Sequence, residues 1–157
     1  MDAKTVEQSK ATIANLMQPE HANQSGNVHG GEIMKLMDHA AGIVAARHAR
    51  KNVVTARVDQ LEFHQPVHIG NLVTCSGYLT FVGRSSMEVF LTVTVEDVTK
   101  NDDPKVALTA YFTMVAINKE GRPEPVPTLQ ISTAEEQALF DEGKLRYERY
   151  KQKQRQG

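Results

Sequence analysis

"GNVHGGEIMKLMDHAAGIVAARHA" fills residues 26–49 and decides the fold. It opens with glycines beside an asparagine and a histidine. It then becomes a long apolar stretch in which one carboxylate, Asp38, stands among Met34, Leu36, Met37, Ala40 and Ala41. At about 100° per residue, Ile33, Met37, Ala40, Ala41 and Val44 share one face, and Glu32, Lys35 and His39 take the opposite side. The pattern predicts a helix from about Gly30 to Ala49, ended by "HARKN". Asp38 belongs to neither face. It lies at their boundary, with Met34 on one flank and small Gly42 and Ala45 on the other, so its carboxylate can be approached. Spacing alone leaves two readings open: a boundary aspartate that is solvated or bonded to a strand, and a partly desolvated base.

Gly30 and Gly31 fall at the predicted helix start, where backbone N–H groups have no intrahelical partner. Glycine lets a ligand approach that backbone, and the helix dipole there favours negative charge, including a developing oxyanion. Asn27 suits a helix cap, and its amide equally suits a substrate or water.

Outward from the helix the chain reads as strands. "ATIANLMQP" is a short strand closed near Pro19, and residues 18–27 are a polar loop. "NVVTARVDQLEF" alternates through Val54, Ala56 and Val58, then shifts phase to Leu61 and Phe63, which predicts a bulge. "NLVTCSGYLTFV" is a second long strand, with Gly77 marking a bend or a close backbone approach. In "SSMEVFLTVTVEDV", Met87, Val89, Leu91, Val93 and Val95 share one face. "VALTAYFTMVAI" is the last long strand, and "NKEGRPEPVPT" is its exit. The tail is helical, with Ser132 or Thr133 as cap, acids early and bases late. One long helix with four long strands and a short one gives an α+β fold, an antiparallel sheet wrapped round the helix.

The chain has 157 residues, 40% hydrophobic and 24% charged, with formal net charge −1. That is one domain, and roughly 70% of its unfolded surface can be buried. No global field attracts nucleic acid or an anionic membrane. The single cysteine, Cys75, rules out an internal disulfide and suits a reducing compartment. The N-terminal segment lacks a signal-peptide core, and no apolar run approaches the ~18 residues of a membrane span, so a cytoplasmic protein is expected. There is no nucleophile-elbow serine, no phosphate-binding glycine loop and no zinc motif. Pro66 between His64 and His68 prevents a helical metal pair. Catalysis, if present, rests on an acid, a water and backbone dipoles.

"GNVHGGEIMKLMDHAAGIVAARHA", "VVTARVDQLEFHQPVHIGN", "GRSSMEV" and "EGRPEPVP" with the basic tail resemble, in order from about residue 10 to 155, the hotdog-fold acyl-CoA thioesterases, and most of all the brain-type acyl-CoA hydrolase group. The resemblance implies a hotdog domain over 1–128 followed by a basic helix over 129–157. It implies hydrolysis of fatty acyl-CoA without a cofactor, by dimers that stack as trimers of dimers. It maps the catalytic pair to Asn27 and Asp38, with Asp38 acting as base or as nucleophile. Gly30 and Gly31 would supply the oxyanion hole. Val54, Thr55, Ala56, Arg84, Ser85, Ser86 and Arg146 match positions that hold coenzyme A. No metal, nucleic acid or membrane partner is implied. A non-catalytic acyl-CoA sensor on the same fold is the alternative, and Asp38 argues for turnover. If Asn27 and Asp38 serve one thioester, eleven helical steps, roughly 16 Å, separate them within one chain, so the site is expected to join two subunits.

Overall fold

A computed structural model describes residues 1–156, and residue 157, the end of the predicted C-terminal segment, lies outside them. The elements run β1 (Lys4–Thr5), β2 (Ala11–Leu16), a 3-10 turn (Pro19–His21), α1 (Gly30–Ala49), β3 (Asn52–Phe63), β4 (Leu72–Val82), β5 (Ser86–Glu96), β6 (Lys105–Ile117), β7 (Leu129–Gln130) and α2 (Ala134–Gln156). The bounds of α1 are those the periodicity predicts. The five main strands form one antiparallel sheet in the order β2-β4-β5-β6-β3. β1 and β7 add a parallel two-residue pair, too short to leave any alternation in the sequence.

The sheet curves round α1, which touches all five of its strands. Ile33, Met37, Ala40, Ala41, Val44 and Ala45 are buried against it, and on β5 so are Met87, Val89, Leu91, Val93 and Val95. Small side chains let the strands come close. At Gly77 an added Cβ would lie 2.7 Å from the Leu91 side chain, so the close approach expected there is real. The predicted bulge in β3 is present as register shifts between Thr55 and Arg57 and between Asp59 and Glu62, with Gln60 at φ 50°. His48 is buried in the last turn of α1, its Nε2 2.6 Å from the Pro127 carbonyl, and burial pushes its pKa down. Lys4 Nζ donates to the His48 carbonyl, so β1 and the segment that leads into β7 are both tied to the foot of α1.

The wrap stays open. β2 and β3 are its two edges, and between them α1 shows Asp38, His39, Gly42, Ile43 and Ala46 along a slit bordered by Ile13, Val53, Val54, Thr55 and Met114.

α2 covers the outer face of the sheet. Phe140 and Tyr147 stack on Phe81, with ring centres 5.0 and 5.5 Å away. Thr133 Oγ1 accepts the Glu136 N–H and Glu136 Oε1 accepts the Ser132 N–H, the capping expected of this segment. Gly143 sits at the closest approach, where an added Cβ would be 2.6 Å from Phe81 Cβ and 2.8 Å from Glu88 Oε1. Gly143→Ala is therefore expected to lift α2 off the sheet and cost about 1–3 kcal/mol, as overpacking does. Urea unfolding of the variant measures this; an unchanged midpoint would mean that α2 is not seated as described.

Candidate active site

Asp38 is the ninth residue of α1 and faces the slit, exposed within the single chain. The Thr55 hydroxyl, on the facing edge strand, donates to Asp38 Oδ1. A bond to a strand, one of the arrangements that the spacing allows, is present. This bond holds one carboxylate oxygen and leaves the other without a protein donor among the described residues. The slit is about 860 Å³, within the size range of ligand pockets, and apolar apart from Asp38, His39 and Thr55. Gly42 forms its floor, with nothing within 4 Å of where a Cβ would lie. Nothing in the sequence pairs Thr55 with Asp38, because they meet only when β3 folds beside α1.

The helix start differs from expectation. The cap is His29, whose Nδ1 accepts the Gly31 N–H at 3.0 Å. Asn27 does not cap α1. It lies two residues earlier, bridged to His68, whose Nδ1–H donates to Asn27 Oδ1 at 2.9 Å. The Gly31 N–H is thus taken by the cap, while that of Gly30 meets no loop or side-chain acceptor among the described residues. Asn23, which the sequence shows only as part of a polar loop, organises this turn. Its Oδ1 accepts the N–H groups of Ser25 and Asn27 at 2.9 and 3.1 Å, and its backbone carbonyl accepts that of Gly26. Its side-chain NH₂ is left to donate.

Val54, Thr55 and Ala56 lie on edge strand β3, and Val54, Val115 and Ser86 stand in one row across β3, β6 and β5. At about 4.8 Å per strand, Val54 and Ser86 are roughly 10 Å apart. The turn Gly83–Ser86 is pinned by the Ser86 carbonyl, which accepts the Gly83 N–H, and by Ser85 and Arg84 carbonyls that accept from Ala116 and Val126. Arg84 is exposed at its tip and makes no side-chain ion pair among the described residues. The pinned turn carries the exposed guanidinium of Arg84 and the half-buried Ser85, groups that suit phosphate, while Ser86 is buried.

Arg146 stands apart from that turn's chemistry. Its Nε and Nη2 donate to Glu88 at 3.0 and 2.8 Å, and its guanidinium lies 3.8 Å over the Tyr111 ring. Glu88, only 3% exposed, also accepts from the Thr80 hydroxyl. The hydrogen bonds that Arg146 donates to Glu88 hold its pKa above its ordinary value. Glu88 left no sign in the sequence, where it is an outward-facing residue of an alternating strand; α2 buries it. Cys75 is buried with its thiol pushed up to about 12, so it is chemically inert.

Residues 25–101 match the family model of the Thioesterase superfamily. The chain is 44% identical over 157 residues to a cytosolic acyl coenzyme A thioester hydrolase of Mus musculus, and spans 41% of that protein's length. It is 34% identical over 140 residues to an uncharacterised acyl-CoA thioester hydrolase of Bacillus subtilis, covering 89% of this chain and 81% of that one. An apo-hexameric acyl-CoA thioesterase superposes with TM-score 0.89 at 30% identity over 98% of this chain and 97% of its own. An acyl-CoA hydrolase from Staphylococcus aureus, solved with butyryl coenzyme A and coenzyme A, superposes with TM-score 0.86 at 30% identity over 98% of this chain and 93% of its own. Among the described residues no helix is long and apolar enough to cross a membrane.

The Glu88–Arg146 pair makes a stability prediction. Arg146→Ala leaves a buried carboxylate without its cation, a loss of about 3–5 kcal/mol. It should also speed amide hydrogen exchange along the C-terminal half of α2. Arg84→Ala should do neither. Denaturation and exchange measurements on both variants check this, and equal stability of the two would contradict it.

Proposed function

We propose that this chain, which belongs to the acyl-CoA thioester hydrolases of the thioesterase superfamily, itself cleaves fatty acyl-CoA to free acid and coenzyme A. The observation that carries the reading is Asp38 on an apolar slit, one oxygen held by Thr55 and the other open. The open oxygen takes a proton from a water as that water attacks the thioester carbon. The carbonyl oxygen gains charge in this step and needs donors. The Gly30 N–H at the positive end of α1 is one candidate, and an asparagine side-chain NH₂ from the turn before it is another. The acid, the water and the dipoles suffice without a cofactor. Arg84, Ser85 and Ser86 would meet the phosphates of coenzyme A, with its arm passing Val54 and Ala56. Arg146, committed to Glu88, would seat α2 behind that turn rather than bind phosphate.

The donor asparagine has two candidates. Asn27 is the one the family resemblance suggests. A specific observation favours Asn23. The Staphylococcus aureus hydrolase has been solved as separate alanine variants of an asparagine, of an aspartate fifteen residues later, and of a threonine seventeen residues after that. Here Asn23, Asp38 and Thr55 keep both spacings.

Within one chain neither asparagine borders the slit. Asp38 is eight helical steps beyond Gly30, about 12 Å along the axis. A thioester that touches both ends therefore takes the turn from one subunit and Asp38 from another. We infer a dimer whose two-fold axis brings a neighbour's helix start to each slit, within a hexamer like those of the solved neighbours, and working in the cytoplasm.

Thiol release from fatty acyl-CoA tests this. Asp38→Asn should fold and bind coenzyme A while losing 10²–10⁴ in kcat, roughly the contribution of a general base. Near-normal turnover by the folded variant would remove Asp38 from the mechanism. Of the two asparagine variants, Asn23→Ala should lose more kcat than Asn27→Ala. The opposite order would return the donor role to Asn27.

A further inference from the structure

We propose that His39 is the general acid that protonates the departing thiolate of coenzyme A; this rests on the hydrolase reading above. Helix geometry puts residues i and i+4 in one row, so Asp38, Gly42 and Ala46 form one ridge of the slit and His39 and Ile43 the next. Gly42 is the gap in the first ridge, with open space above it. A thioester laid over Gly42 has Asp38 at one side and the His39 imidazole at the other. Of the slit's three polar side chains, Thr55 and Asp38 are bonded to each other, whereas the His39 ring has no hydrogen-bond or ion-pair partner among the described residues. The strands facing it contribute Ile13, Val53, Val54, Thr55 and Met114, none of which titrates. The remaining charged groups beside it are Asp38 and, one turn earlier on α1, exposed Lys35.

The chemistry asks for such a group. Water attack passes one proton to Asp38 and leaves a tetrahedral oxyanion. Collapse re-forms the carbonyl, breaks the C–S bond and leaves the electron pair on sulfur. An alkyl thiol of this kind has a pKa near 8.5, so its anion takes up a proton at neutral pH. His39, as imidazolium, gives that proton from a ring nitrogen as the bond breaks. It is recharged from solvent, to which Asp38 returns its own proton. Giving up and regaining a proton from solvent in this way is the usual catalytic work of a histidine side chain.

The test compares leaving groups. Wild type, His39→Gln and His39→Ala are assayed on an acyl-CoA and on the same acyl group carried by a nitrothiophenol, whose anion departs without a proton. His39→Gln should lose about 10²-fold in kcat/KM on acyl-CoA and keep near wild-type rates on the aryl thioester. Added imidazole should restore His39→Ala on acyl-CoA alone. The aryl substrate reports that each variant is folded with Asp38 in place. Equal losses on both substrates, or none on either, would overturn the acid role while leaving the hydrolase reading standing. Absence of acyl-CoA hydrolysis by wild type would instead overturn the hydrolase reading.

Discussion

The rest of the molecule depends on the burial of one helix face in a curved sheet that cannot close. Met37, Ala40, Ala41, Val44 and Ala45 are fully buried, and most are small enough for five strands to bend round a single helix. Five strands reach round only part of it. The gap between β2 and β3 leaves a strip of α1 uncovered, and the sequence places on that strip a carboxylate, an imidazole and a glycine. The edge strands that flank the core thus also supply the walls of the candidate site. Asp38 is carried by the buried central helix, and Thr55 on the edge strand holds one of its oxygens.

The outer face carries a second polar arrangement with a structural task. Glu88 on β5 binds Arg146 of α2 through two hydrogen bonds and takes a third from Thr80. A buried pair of this kind adds little over an apolar match, but breaking it leaves an uncompensated charge, so α2 is held where the two partners meet. Gly143 brings α2 close enough for the pair to form. The turn that ends β4 and begins β5 sits two residues from Glu88, so the strand that carries the pair also carries Ser86.

Much of this was legible in the sequence because it depends on periodicity. α1, the face that Ile33 and Val44 share, the alternation of β5 and the bulge in β3 all follow from spacing along the chain. Asp38 stood out because a charge interrupts an apolar stretch. What stayed hidden depends on contacts between distant segments. Thr55 reads as an ordinary strand residue until β3 lies beside α1. Glu88 reads as solvent-facing until α2 covers it, and Arg146 reads as a free cation until Glu88 is found beneath it. The turn before α1 departs from its expected form for a local reason. An asparagine before a helix suggests a cap, yet His29 fills that place and Asn23 bonds the turn from within.

In the proposed dimer the slit of one chain is completed by the helix start of another. Mixing inactive subunits tests it most directly. One chain carries Asn23→Ala with Asn27→Ala, the other carries Asp38→Ala, and the two are exchanged by mild unfolding and refolding. Half of randomly formed dimers pair the two kinds, and each such dimer holds one intact site and one doubly broken site. Activity should therefore return to roughly a quarter of wild type from two inactive parents, by the two-fold symmetry of the interface. Demonstrated exchange with no return of activity would contradict the shared site.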